Sequence, residues 1–137
     1  MKVLVDTSIW SLALRKKKRI SKSDNILVNE LKELINEVRV SIIGPIRQEI
    51  LSGITVENQF HTLKSQLKAF EDLPIYTINY ETAAHFYNVC RTKGIQGSHI
   101  DFLICAVAYH NKMSIFSCDK DFELYSKHLK IVLYKPR

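Results

Sequence analysis

Short runs of apolar, often β-branched residues alternate along this chain with longer stretches of helical period, and that alternation narrows the fold more than any other feature. "KVLV" at 2–5, "VSII" at 40–43, "SIFS" at 114–117 and "KIVLY" at 130–134 read as strands. "PIYTI" at 74–78 reads as a short strand or an extended connector. Leu27, Leu31, Leu34, Ile35 and Val38 recur at helical spacing over 23–38, with Ser23 or Asp24 as a first-turn cap. Pro45 suits the start of a helix over 45–52, which Gly53 closes. Val56, Phe60, Leu63, Leu67 and Phe70 mark one face of a helix over 56–72. A helix over 80–94 stops at Gly94, and 98–111 is apolar nearly all round, as a buried central helix is. A short helix is predicted over 119–128. The class this predicts is α/β: a three-layer α/β/α sandwich around a central, mostly parallel sheet.

No repeat and no Pro/Gly/Ser linker divides residues 1–137, so a single domain is expected. A chain of this length buries roughly 70% of its unfolded surface and needs no covalent staple. The three cysteines form no CxxC pair, which argues against a zinc site or a disulfide framework. Cys90 and Cys105 lie in apolar helical stretches and read as small core residues of a protein in a reducing cytoplasm. No basic-then-apolar leader and no run of about 18 apolar residues is present, so no membrane span is expected. The formal charge of +6 suits a polyanionic partner. "RKKKRISK" at 15–22 holds six of the twenty basic residues. It is either a solvated loop or a phosphate-contacting one, and the positive balance favours the second.

Four acids stand apart from ordinary surface acids. Asp6 ends the first strand, Glu49 lies between Ile46 and Ile50, Asp101 falls in the most apolar helix, and Asp119 follows the strand "SIFS". Any one of them alone reads as a cap or an ion-pair partner, and Asp119 in particular precedes a short helix. Ligands of parallel α/β sheets bind beyond the carboxyl ends of the strands, where Asp6 and Asp119 both fall. Carboxylates beside a core need compensation, and few basic residues share these apolar contexts. A hard cation, Mg²⁺ or Mn²⁺, takes such oxygen ligands. With the fold and the positive charge, the set suggests metal-dependent hydrolysis of nucleic acid.

"VLVDTSIWS" at 3–11, "EILSG" at 49–53, "HIDFLICAVAYHN" at 99–111 and "IFSCDKDFE" at 115–123 resemble, in order, the four acidic motifs of PIN-domain nucleases, most closely the VapC-type toxins of toxin–antitoxin pairs. The resemblance implies a parallel sheet of about four or five strands. It implies that Asp6, Glu49, Asp101 and Asp119 are the catalytic acids holding Mg²⁺ or Mn²⁺. Asp6 and Asp101 would bind the metal directly. Glu49 and Asp119 would complete its shell or orient the water that attacks the scissile phosphate. Asp121 ranks below Asp119 as its substitute or assistant, and Ser8 and Ser117 hold hydroxyl positions near the site. The activity implied is endoribonuclease cleavage of structured RNA such as tRNA or rRNA. The implied partners are a small antitoxin protein and a second copy of the chain.

Among other candidates, His99 reads as a helix start rather than an RNA contact, and Trp10 and Tyr125 as core rather than stacking platforms. The apolar stripe of 56–72 serves either internal packing or a partner. Two rival functions keep the fold: a PIN nuclease of RNA maturation, and a non-catalytic RNA-binding module, which the intact acid set disfavours. A haloacid-dehalogenase phosphatase is disfavoured because "VDTSIW" lacks the second Asp two residues on. Neutralising Lys16, Lys17 and Lys18 is expected to weaken RNA binding and to lower the slope of log affinity against log salt by about 2. An unchanged slope in a salt titration returns that run to the solvated-loop reading.

Overall fold

The computed structural model describes residues 1–14 and 20–137. Most of the basic run at 15–22 therefore lies outside the described residues. The elements in order are β1 (Val3–Val5), α1 (Thr7–Leu14), α2 (Lys22–Asn36), β2 (Val40–Ser41), α3 (Gly44–Leu51), α4 (Glu57–Leu67), α5 (Thr77–Thr92), α6 (His99–His110), β3 (Ser114–Phe116), α7 (Asp121–Ser126) and β4 (Val132–Leu133).

The four strands form one parallel sheet in the order β2-β1-β3-β4. The two central strands, "VLV" and "SIF", are buried throughout, as parallel strands covered on both faces must be. The chain steps outward from β1 to β2, then returns past β1 to β3. Right-handed crossovers place those two connections on opposite faces, which gives the expected layered α/β arrangement. Helix α6 carries the largest share of the core. Its residues Phe102 to Ala108 are all buried, and it packs along α5 and against β3. That answers its all-round apolar sequence.

The strand register decides where the polar chemistry goes. Val3, Leu4 and Val5 lie beside Ser114, Ile115 and Phe116. The ladder continues through the Asp6 N–H, which donates to the Phe116 carbonyl at 2.9 Å. Asp6 and Ser117 thus leave the sheet side by side, at the point where the strand order reverses.

Several boundaries differ from the sequence reading, each for a local reason. Helix α1 was not predicted; its eight residues are mostly apolar and too few to show a period. Helix α2 begins after Ser21, whose hydroxyl accepts the Asp24 N–H, so Ser21 rather than Ser23 is the cap. Val38 lies beyond that helix at φ 56° and is 75% exposed, so it is not part of the apolar face. Helix α4 ends at Leu67 rather than 72 because Arg47 captures the released chain. The guanidinium donates to the Leu67 and Phe70 carbonyls and pairs with Asp72 at 2.9 Å. Residues 74–78 are not a strand. Asp72 makes a single bridge to Ile42, while Thr77 and Ile78 already belong to α5, whose Asn79 side chain accepts the Tyr76 N–H at 2.7 Å.

Candidate active site

Asp6 is only 7% exposed, and its contacts follow from the β1–β3 register. The Ser8 and Ser117 hydroxyls donate to one carboxylate oxygen, Oδ2, at 2.7 and 2.8 Å. Each hydroxyl has one proton and spends it on Asp6. The 3.2 Å approach of the two serine oxygens is therefore a contact enforced by their shared acceptor. Both serines accept in turn, Ser8 Oγ from the Cys118 N–H at 3.2 Å and Ser117 Oγ from the Asp119 N–H at 3.0 Å. Asp6 is thereby fixed from β1, α1 and the segment after β3 together. Among the described residues no donor is bonded to its other oxygen, Oδ1. The cap role is also met, since the Asp6 carbonyl accepts the Ile9 N–H at 3.1 Å.

Asp101 sits in the first turn of α6, where its own N–H donates to the Ser98 hydroxyl at 3.1 Å. The Tyr125 hydroxyl donates to Asp101 Oδ2 at 2.7 Å. Burial pushes the Asp101 carboxyl up from the ordinary aspartate value. The Tyr125 and Ser98 hydrogen bonds oppose that rise, and the neighbouring Asp6 and Asp119 charges add to it. Asp119 Oδ1 accepts the Asp121 N–H at 2.9 Å, closing a tight turn before α7. One carboxylate oxygen each from Asp101, Asp119 and Asp121 lies within 4.8 Å of the others.

The structure therefore draws together two of the four expected acids, with Asp121 as their third member. Asp6 lies beside them, close enough for its charge to raise the Asp101 carboxyl. Glu49 is exposed on α3 and outside the group, and accepts the Thr7 hydroxyl at 3.0 Å. Among the described residues no ion pair reaches any of these five acids; the paired carboxylates are those of Glu30, Glu37, Glu57 and Asp72. The nearest compensation is the positive ends of three helices. Asp6 precedes α1, Asp101 lies in the first turn of α6, and Asp121 opens α7. An all-oxygen group that no ion pair among the described residues neutralises fits a hard divalent cation.

The remaining candidates resolve simply. Trp10 is core, its indole N–H bonded to the Val5 carbonyl at 3.2 Å. His99 opens α6 and stacks on Tyr87. Cys90 and Cys105 are buried, and Cys118 is exposed. On α4 only Leu67 is buried, with Leu63 packed beside the core. Tyr125 is buried as expected, but its hydroxyl reaches the acids, which the sequence did not signal.

The PIN domain family model matches residues 3–127. The chain belongs to the PIN domain family. VapC ribonuclease Mb1587 of Mycobacterium bovis is 30% identical over 129 residues, covering 91% of this chain and 92% of that protein. Among solved structures, FitAcB from Neisseria gonorrhoeae superposes with a TM-score of 0.77 at 19% identity, covering 98% of this chain and 97% of that one. VapBC2 from Rickettsia felis, bound to a DNA fragment from their promoter, does so with a TM-score of 0.77 at 17% identity over 98% of both chains. These likenesses show that the chain shares their fold.

The raised Asp101 carboxyl has a consequence for stability. A group whose pKa is higher folded than unfolded contributes stability at low pH that is lost as pH rises through the folded value. In EDTA, the metal-free wild type is expected to lose stability relative to Asp101→Asn as pH rises above the carboxylate range, and at neutral pH the variant should melt a few degrees higher. Thermal melts from acid to neutral pH check this. A variant that melts lower at neutral pH contradicts it.

Proposed function

We propose that this PIN-domain protein is a metal-dependent endoribonuclease, the toxin of a VapC-type toxin–antitoxin pair. It hydrolyses phosphodiester bonds of structured RNA such as tRNA or rRNA. The observation that carries the reading is the carboxylate group of Asp101, Asp119 and Asp121, which no ion pair among the described residues reaches, with Asp6 beside it, at the switch point of a PIN sheet. The ribonuclease name of the 30% identical relative supports it.

In this reading Asp101, Asp119, Asp121 and the free oxygen of Asp6 hold Mg²⁺ or Mn²⁺, and Glu49 extends the acidic edge. The cation, when bound, supplies Lewis-acid polarisation of a phosphate oxygen and lowers the pKa of the attacking water. Ser8 and Ser117 hold Asp6 in one orientation, so its carboxylate does not reorganise when a phosphate arrives. The amino ends of α1, α6 and α7 direct partial positive charge toward this edge. A small antitoxin protein is the expected partner, consistent with the VapBC2 likeness, and a homodimer is the assembly we propose. Among the described residues no helix is long and apolar enough to cross a membrane. The free cysteines suit a reducing cytoplasm.

Purified protein incubated with a pool of tRNA and rRNA is expected to give discrete fragments with Mg²⁺ or Mn²⁺ and none with EDTA. Asp6→Asn and Asp101→Asn should each lower the rate by a factor of about a hundred or more while keeping the wild-type circular dichroism. Cleavage in EDTA, or full activity in both variants, contradicts the proposal.

A further inference from the structure

Tyr125 is fully buried, yet its hydroxyl ends on a carboxylate of the acid group. Its ring lies 4.8 Å from that of Phe102 on α6 and 5.3 Å, edge-on, from that of Phe122 on α7. Tyr125 and Asp121 are four residues apart on α7 and so share one face of that helix. The same helix face thus carries one acid of the group and the donor to another. Room for the hydroxyl comes from Gly97, just before the Ser98 cap of α6. A Cβ at Gly97 would overlap the Tyr125 hydroxyl and lie 2.8 Å from a Phe102 ring carbon. The glycine here serves space, since its backbone lies outside the left-handed region.

We propose that Tyr125, seated over Gly97, is a positioning residue: its hydroxyl fixes the Asp101 carboxylate for cation binding and holds α7, with Asp119 and Asp121, against α6. The bond occupies Oδ2 of Asp101 and leaves Oδ1 for the cation. A carboxylate without that bond rotates about its side-chain torsions, and the oxygen group loses its fixed spacing. Partners that orient ligands in this way typically contribute 10–100-fold in metal affinity or activity. The inference rests on the metal reading of the acid group.

The test is Mn²⁺ binding to the RNA-free protein, followed by the loss of the free-ion electron paramagnetic resonance signal. Tyr125→Phe keeps the ring and removes the hydroxyl. Gly97→Ala keeps the hydroxyl and displaces it. Tyr134→Phe removes a different hydroxyl, one bonded to Glu30 on α2, and serves as the control. The Mn²⁺ dissociation constant is expected to rise roughly 10–100-fold in the first two variants and to stay at the wild-type value in the third. A purely structural tyrosine would move the melting temperature without moving Mn²⁺ affinity. Tyr125→Phe or Gly97→Ala binding within about twofold of wild type overturns the positioning role alone. A wild type that binds no Mn²⁺ overturns the metal reading and this role together.

Discussion

The parallel pairing of β1 with β3 is the constraint on which the rest of the molecule depends. With Val5 beside Phe116, the first residues beyond the two strands, Asp6 and Ser117, emerge as neighbours. Two serine hydroxyls then converge on one oxygen of Asp6, and Asp119 follows two residues after Ser117. A slip of one residue in that register would turn each strand's buried set to the other face and separate these groups. The strands are only three residues long, so the hydrophobic core around them, chiefly α6, sets the register.

Collecting carboxylates at one edge works against folding stability, and among the described residues the offset comes from helix ends and hydroxyls rather than from ion pairs. No Lys, Arg or His among the described residues pairs with the acids. The partial positive charge comes from the amino ends of α1, α6 and α7, and the hydrogen bonds from Ser8, Ser117 and Tyr125. Helix ends and hydroxyls satisfy the acids in part and leave oxygens free, whereas an ion pair would occupy them. Function and stability therefore compete at Asp101, where burial and like charge disfavour ionisation of a residue that the chemistry needs ionised.

Much of this was legible in the sequence because it depends on local pattern. Apolar runs and helical spacing gave the α/β class, the central helix over 98–111 and the strand-end positions of Asp6 and Asp119. The sequence ranks Asp121 below Asp119 because the two differ only in the turn between them, which the Asp121 N–H sets by donating to the Asp119 carboxylate. The role of Tyr125 was not legible, since it depends on the packing of α7 against α6 and on the space at Gly97. Helix α1 was too short to show a period, and the end of α4 is set by Arg47 from another helix. For Tyr125 and for the end of α4 the deciding contact comes from a residue distant in the sequence.

The central claim is that the acids at the β1–β3 edge form one cation site. Anomalous diffraction from crystals of this protein soaked in Mn²⁺ tests it most directly. The account predicts a peak bounded by Asp101, Asp119 and Asp121, with Asp6 beside it, that disappears in Asp101→Asn crystals. Ordered acids with no peak among them, or a peak bound elsewhere on the chain, would contradict it.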